Sequence, residues 1–292
     1  MAVDDIGPTS HSFISQRLKL SYADWGNKEA PLLILVHGGM DHARSWDWVA
    51  RALRHDWHVV APDLRGHGDS AWSPDGAYTA PFFVSDLAQL IHQLTDGPVA
   101  IVAHSLGGAI SLRYAGLYPE RVHHLAVIEG IGLSDQDDVQ PVADRWRSFI
   151  EQRRTLSGRS ARRYETVEHA LARMVAENKH LSEEQARHLT VHGVSRNEDG
   201  SYSWKYDNYM RSRSPVDISD EELRALWNAI DCPVWLVHGA DSWAKHPVEN
   251  GRAAAFKHAR VTSFEGAGHW VQHDRFDAFV SELREFLSSE PE

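Results

Sequence analysis

A serine stands between an apolar run and a pair of glycines in the segment Ile101–Ile110, IVAHSLGGAI. The apolar run is typical of a buried strand, and the residues after the serine are typical of a helix. Small residues two positions to either side, Ala103 and Gly107, fit a turn so sharp that larger neighbours would collide. Such a turn exposes the Ser105 hydroxyl and directs the backbone N–H of Leu106 to the same point. Ser105 is therefore predicted to be a nucleophile; the alternative is a serine that only caps the helix.

The elements that would position Ser105 alternate regularly along the chain. Short, continuously apolar runs indicate buried strands, and amphipathic stretches between them indicate helices. This alternation is typical of an α/β fold, a mostly parallel central sheet flanked by helices. The predicted strands are residues 32–38, 57–63, 98–105, 122–130, 233–239 and 260–266. The predicted helices are residues 45–56, 81–94, 107–118, 250–259 and 275–287.

The alternation stops between residues 133 and 227, where no convincing buried strand is found. This segment is rich in arginine and glutamate and carries long helical patterns. It also contains an aromatic cluster, Tyr202, Trp204, Tyr206 and Tyr209. We therefore predict one α/β core, residues 1–132 and 228–292, and a mostly helical cap, residues 133–227, inserted after the sixth strand.

The charge and the histidine pattern disfavour two classes of function. The formal net charge is −11, whereas nucleic-acid binding needs a basic surface. The 19 histidines are scattered, and neither a His-Glu-x-x-His nor a Cys-x-x-Cys motif is present. We therefore expect no nucleic-acid partner and no metal.

The cysteine content and the apolar patterning bear on the compartment. Cys232 is the single cysteine, so no disulfide can form within the chain, and a buried structural thiol is expected. The opening residues, MAVDDIGPTS, lack the basic and apolar blocks of a signal peptide. No apolar run approaches the roughly 20 residues that a membrane span needs. We expect a cytoplasmic protein that contacts no membrane.

Four segments together resemble the α/β-hydrolase fold family, in the family's order and across nearly the whole chain. They are LVHGG (35–39), APDLRGHGDS (61–70), AHSLGG (103–108) and GAGHW (266–270). The first resembles the family's His-Gly loop, the third its nucleophile elbow and the fourth the loop that bears its catalytic histidine. The resemblance implies a serine hydrolase with a helical cap.

The resemblance also implies roles for particular residues. Ser105 would be the nucleophile and His269 the base that removes its proton. Leu106 would donate one backbone N–H to an oxyanion hole and Gly39 the other, with Met40 as a possible substitute for Gly39. Two further histidines, His37 and His104, are rivals of His269 by residue type only; His37 is expected to shape its loop and His104 to pack beside the serine.

Families of this kind use an acid beside the serine and the histidine, and the residue that supplies the acid stays open here. Most of the family places the acid in Gly-x-x-Asp after the seventh strand, but here the third residue after Gly239 is Ser242, and Asp241 lies one position early. A recognised alternative in the family places the acid after the sixth strand, where this chain has Glu129. Both Glu129 and Asp241 remain candidates for orienting His269, with a slight preference for Glu129.

The reaction implied by this resemblance is hydrolysis of a carboxylic ester through an acyl-enzyme, without a cofactor. The partner would be a small to medium apolar ester, since the aromatic residues of the insert would suit an apolar acyl or aryl group. A serine at the elbow disfavours haloalkane dehalogenase and epoxide hydrolase chemistry, which uses an aspartate there. The oligomeric state is not readable from the sequence.

Other functions of the same fold stay open. They are a hydroxynitrile lyase, a cofactor-free oxygenase, a carbon–carbon or lactone hydrolase, and a ligand-binding receptor with low turnover. The fold alone does not decide among them, because function depends on the site.

Overall fold

A computed structural model describes residues 7–131, 141–212 and 214–289 of the chain. Its strands are β1 (Thr9–Ser15), β2 (Leu18–Asp24), β3 (Leu32–Val36), β4 (His58–Pro62), β5 (Val99–His104), β6 (Val122–Ile128), β7 (Val194–Arg196), β8 (Tyr202–Trp204), β9 (Val234–Gly239) and β10 (Ala259–Phe264). Its helices are α1 (Asp47–Leu53), α2 (Ala80–Leu94), α3 (Leu106–Leu117), α4 (Val142–Leu156), α5 (Val167–Glu177), α6 (Glu183–Gly193), α7 (Asp220–Asn228), α8 (Val271–Asp274) and α9 (Phe276–Leu287).

Eight strands form the central sheet in the order β1-β2-β4-β3-β5-β6-β9-β10. The six strands from β4 to β10 in this order run parallel, and β1 and β2 add an antiparallel edge. The predicted α/β fold is therefore confirmed. The sequence analysis missed β1 and β2, which are joined by a two-residue turn, Gln16 and Arg17, at φ 47° and 70°. Turns of this kind favour Asn-Gly, so Gln-Arg gives no recognisable hairpin signal.

Both faces of the sheet are covered, as the continuously apolar strands predict. Along β3, Ile34 and Val36 belong to the apolar layer that includes residues of α2 and α3. Leu33 and Leu35 belong to the opposite layer, with residues of α1 and α9. Cys232 is buried, as expected, and its burial raises the pKa of the thiol to about 12.

The segment between β6 and β9 is mostly helical, as expected, with α4, α5 and α6 in sequence. It also contains a short antiparallel hairpin, β7 and β8, which the sequence analysis did not predict because each strand has only three residues. Helix α7 packs against α3, where a Cβ on Gly116 would lie 2.4 Å from the Leu226 carbonyl oxygen. The predicted boundary at residues 132 and 133 lies outside the described residues, so the division into core and cap remains a prediction.

One predicted helix, residues 250–259, is wrong. The structure has only a single 3₁₀ turn there, Ala253–Ala255. Gly251 adopts φ 69°, a left-handed conformation that interrupts a helix, and Ala259 already belongs to β10.

The parallel strands bring the candidate residues to one edge of the sheet. Ser105 directly follows β5, Glu129 directly follows β6, and Gly39 and His269 lie on the loops after β3 and β10. The carboxyl ends of parallel strands meet at this edge, which is where open α/β sheets bind their ligands. None of the helices in the described ranges is long and apolar enough to cross a membrane.

Candidate active site

Ser105 occupies a strained turn between β5 and α3. Its backbone adopts φ 50° and ψ −116°, a conformation that is rare for residues other than glycine. The turn is held by a hydrogen bond from the Ser105 N–H to the Ile128 carbonyl, at 2.8 Å. Ala103 remains an ordinary buried strand residue, paired with Val36 and Val127, so alanine fits there without strain.

Gly107 is needed because the turn is packed against the end of β3. A Cβ at this position would lie 2.5 Å from the carbonyl oxygens of both Val36 and His37. Backbone atoms of a central strand cannot move aside cheaply, so only glycine fits. The small residue expected on this side of Ser105 is therefore required by packing.

The loop after β3 is shaped by His37. The Nε2 atom of His37 accepts a hydrogen bond from the Leu64 N–H at 3.0 Å, so the proton lies on Nδ1, which donates to the Gly38 carbonyl at 2.7 Å. Burial holds the pKa of His37 well below its usual value. His37 therefore stays neutral and connects two loops, as expected, and it is not available as a base.

The predicted oxyanion-hole residues lie beside the elbow. The backbone N–H groups of Gly39, Met40 and Leu106 have no hydrogen-bond acceptor among the described residues. A Cβ on Gly39 would lie 3.9 Å from the Leu106 side chain, so the two residues are neighbours. Leu106 is the first residue of α3, whose N-terminal dipole favours negative charge. These N–H groups can stabilise an anionic oxygen.

Glu129 lies in the turn after β6 at φ 53°, with its side chain fully buried. Its carboxylate accepts hydrogen bonds from the Gly239 N–H at 2.7 Å and from the Ser242 hydroxyl at 2.8 Å. These two donors come from the end of β9 and the loop that follows it. They satisfy a buried carboxylate and fix its position, which burial without partners would not allow.

His269 faces this carboxylate. Its Nδ1 atom lies 3.5 Å from Glu129 Oε2, and it has no other polar partner in the described part of the chain. The distance exceeds that of an ordinary hydrogen bond, but catalytic contacts in ligand-free sites are often long and shorten when substrate binds. A carboxylate facing Nδ1 can hold the imidazole ring in one orientation, with Nε2 left free on the opposite side of the ring.

Asp241 is not brought to His269. Its side chain is exposed, and its backbone N–H donates to the Ala267 carbonyl at 2.9 Å. No hydrogen bond or ion pair joins Asp241 to His269 within the described ranges. Of the two candidate acids, the structure thus brings only Glu129 to His269.

Three residues hold the histidine loop, of which the sequence named only His104, and that one only as a packing residue. His104 Nε2 lies 2.9 Å from the His269 carbonyl oxygen, and burial lowers the pKa of His104 well below its usual value, so it is neutral and donates there. Asp274 accepts a hydrogen bond from the Gly268 N–H at 2.8 Å. Trp243 stacks on the His269 ring, with centroids 4.9 Å apart. Only His104, adjacent to the serine, had a recognisable signal.

Several buried histidines around the site make stability depend on pH. Burial lowers the pKa of His42 and His67 to about 4 and that of His273 to about 3. The unfolded chain protonates these histidines near their ordinary pKa of 6.5, so stability falls as pH decreases from 6.5 towards 4. Burial raises the pKa of Asp41 to about 7 and that of Asp63 to about 6, which acts in the opposite direction.

The histidines outnumber these two acids, because burial also depresses the pKa of His37, His104 and His192. We therefore expect the melting temperature to be lower at pH 5 than at pH 7.5, with net proton uptake on unfolding. Calorimetry across this range measures both quantities. In His273→Asn the uptake should fall by about one proton; a melting temperature that rises on acidification would contradict the prediction.

The comparisons with known proteins agree with this fold. Residues 31–276 match the family model for the α/β-hydrolase fold. The chain belongs to the α/β-hydrolase family. The resemblance inferred from the four sequence segments is therefore confirmed.

Named relatives of this α/β hydrolase also include esterases. Esterase Rv0045c of Mycobacterium tuberculosis is 29% identical over 282 residues, which span 92% of this chain and 87% of the esterase. A solved structure of that esterase superimposes with a TM-score of 0.78 at 26% identity, covering 97% of this chain and 93% of the other. The 3-hydroxybutyrate-oligomer hydrolase of Cupriavidus necator is 31% identical over 240 residues, 77% of each chain. The chain is a hydrolase of the α/β-hydrolase type, and its family acts on small molecules.

Proposed function

We propose that this chain hydrolyses carboxylic esters through an acyl-enzyme, with Ser105 as nucleophile, His269 as general base and Glu129 as the acid. The observation that carries the proposal is the fully buried Glu129 carboxylate, which lies 3.5 Å from His269 Nδ1 at the same sheet edge as the elbow serine. The esterase names of the relatives support ester bonds as the substrate class.

The first half of the reaction acylates the serine. His269 Nε2 removes the Ser105 proton while Oγ attacks the ester carbonyl, whose oxygen becomes anionic. The N–H groups of Gly39 and Leu106 donate to this oxygen, with Met40 as the possible substitute for Gly39. When the intermediate collapses, the carbon–oxygen bond breaks and the alcohol leaves with the proton from His269.

The second half releases the acid. Water donates a proton to His269 Nε2 and attacks the acyl carbonyl. When this second intermediate collapses, the bond from the acyl carbon to Ser105 Oγ breaks, His269 returns the proton to Oγ, and the carboxylic acid is released. Glu129 holds the charged imidazole in each half without itself becoming protonated. Because Gly239 and Ser242 already donate to this carboxylate, little rearrangement is needed when His269 becomes charged.

Three apolar side chains lie beside the proposed site, which favours small to medium apolar esters. Met40 is 47% exposed beside Gly39, and the Met210 methyl group would touch a Cβ on Gly39 at 3.9 Å. Trp243, 68% exposed, lies against His269. Methionine side chains adapt to differently shaped apolar groups, so a moderately broad range of acyl chains is expected.

The decisive test is covalent labelling. A fluorophosphonate probe should label the native protein once, and Ser105→Ala should abolish both labelling and turnover of p-nitrophenyl esters of increasing chain length. A burst of p-nitrophenol equal to the enzyme concentration would report the acyl-enzyme. Failure to take up label together with no turnover across the panel would refute the proposal.

Trp243 provides a test of the part of the site where the leaving alcohol would lie. His269 must protonate the leaving alcohol, so the indole stacked on His269 borders that alcohol and also stabilises the charged imidazole. We expect Trp243→Ala to lower kcat/KM by roughly threefold to fivefold. Trp243→Phe, which keeps an aromatic face, should retain most of the activity; equal losses in both variants would contradict a stacking role.

A further inference from the structure

Three potential metal ligands meet at the junction of the core and the segment inserted after β6. Asp47 lies on α1 of the core, whereas His188 and His192 lie four residues apart on α6. That spacing places both imidazoles on one face of the helix, and their ring centroids are 4.5 Å apart. One ligand atom from each of the three residues lies within 4.8 Å of the others.

We propose that Asp47, His188 and His192 form a binding site for a divalent transition-metal ion of borderline softness, such as Zn²⁺, which joins α6 to the core. Two imidazoles and a carboxylate are a ligand set that zinc commonly takes. No metal is expected from the sequence, because the histidines are scattered and neither a His-Glu-x-x-His nor a Cys-x-x-Cys motif is present. The fold assembles this set from two distant segments.

The geometry needs little adjustment. Tetrahedral zinc with bonds of about 2.0–2.1 Å places neighbouring ligand atoms roughly 3.3 Å apart. His188 Nε2 and Asp47 Oδ2 already lie 3.2 Å apart. Binding would replace the His188 proton between these atoms with the ion, and rotation of the His192 side chain would complete the set.

The surroundings of Asp47 also suit a metal. Its side chain is fully buried and lies against both His188 Nε2 and the Arg44 guanidinium. A buried carboxylate needs such partners, and a metal ion can take the place of one of them.

Arg44 is the cation that competes for this carboxylate. Its Nε donates to both carboxylate oxygens of Asp47 at 2.9 Å, and its terminal nitrogen donates to Oδ2 at 2.6 Å. The Arg44 side chain is 31% exposed, so it can withdraw from Oδ2 towards solvent. Its positive charge opposes a metal ion nearby, which predicts that removing it strengthens binding.

An ion at this position would hold α6 above the active site. On the same helix, the Leu189 carbonyl accepts a hydrogen bond from His42 Nε2 at 2.9 Å, and Gln185 donates to the His273 carbonyl at 3.0 Å. His42 follows the proposed oxyanion residues, and His273 follows the histidine loop. The metal would strengthen the connection that His188 already makes between α6 and Asp47 of the core.

The test is zinc binding by the full chain after treatment with a chelator. Calorimetric titration with zinc chloride is expected to give one ion per chain, and zinc should raise the melting temperature. His192→Asn and His188→Asn should each weaken binding roughly 100-fold, whereas His169→Asn on α5, which is exposed, should not change it. Ser105→Ala should bind zinc as the native chain does, so the result is independent of catalysis.

Arg44→Gln gives the sharpest test, because it is expected to strengthen zinc binding, whereas the two histidine substitutions weaken it. Zinc should bind several-fold more tightly to this variant than to the native chain, whereas unspecific binding to surface histidines would be unaffected. The proposal is overturned if the native chain shows no zinc-dependent stabilisation, or if His192→Asn is stabilised as much as the native chain.

Discussion

Replacing Glu129 with glutamine is expected to lower kcat for ester hydrolysis by roughly 10⁴-fold, the loss typical of a triad acid converted to its amide. The amide keeps the volume of the side chain but cannot stabilise the charged imidazole of His269, 3.5 Å away. Asp241→Asn is the matched control, because Asp241 is exposed and makes no described contact with His269. Its kcat should change less than about threefold.

Steady-state kinetics on the best ester of the panel measures both variants, with melting temperatures to exclude unfolding. Comparable losses in Glu129→Gln and Asp241→Asn would contradict the assignment of Glu129. The rate of fluorophosphonate labelling of Glu129→Gln should also fall, as kcat does, because both depend on activation of Ser105.

Ser242 allows the same assignment to be tested by gain of function. Its hydroxyl lies 2.8 Å from Glu129 Oε2, so a carboxylate at position 242 would lie near the same point. Ser242→Asp combined with Glu129→Gln should therefore recover part of the lost activity, whereas Ser242→Asn in the same background should not. In the native background Ser242→Asp should be harmful, because two adjacent buried carboxylates disfavour each other's ionisation.

The choice between Glu129 and Asp241 could not be made from the sequence. Ser105, Gly39 and His269 lie in short segments where close backbone approach demands small neighbours, which leaves a recognisable pattern. An acid needs only to reach the histidine, and which acid does so depends on the relative positions of two loops. In the folded chain the Gly239 N–H holds the Glu129 carboxylate at 2.7 Å, which supports the proposal that Glu129 is the acid.

Elements were predictable where burial alone determines them. The buried strands β3, β5 and β9 are continuously apolar, and their positions agree with the predictions to within one or two residues. The β1–β2 hairpin was missed because its Gln-Arg turn gives no recognisable hairpin signal. The helix at residues 250–259 was wrong because Gly251 overrides the alanine-rich pattern. The Asp47–His188–His192 cluster could not be predicted from the sequence, because only the fold brings Asp47 to the two histidines.

Gly107→Ala is expected to destabilise the folded protein by about 3 kcal/mol, at the upper end for an overpacked core position. The added Cβ would lie 2.5 Å from the carbonyl oxygens of Val36 and His37. These oxygens belong to the end of β3, which pairs with strands on both sides and cannot shift without distorting them. Gly97→Ala is the matched control, since its Cβ would meet only the Thr95 hydroxyl at an ordinary 3.5 Å.

The same substitution should also damage catalysis in the protein that still folds. Relief of the clash requires α3 to move away from β3, which separates the Leu106 N–H from Gly39. Because both N–H groups must reach one oxygen, loss of this alignment should lower kcat by about 10²-fold or more while KM changes little. Urea denaturation and kinetics on the same preparation measure the two effects. A variant that lost stability but kept kcat would contradict the expected dependence of the oxyanion donors on the packing of Gly107.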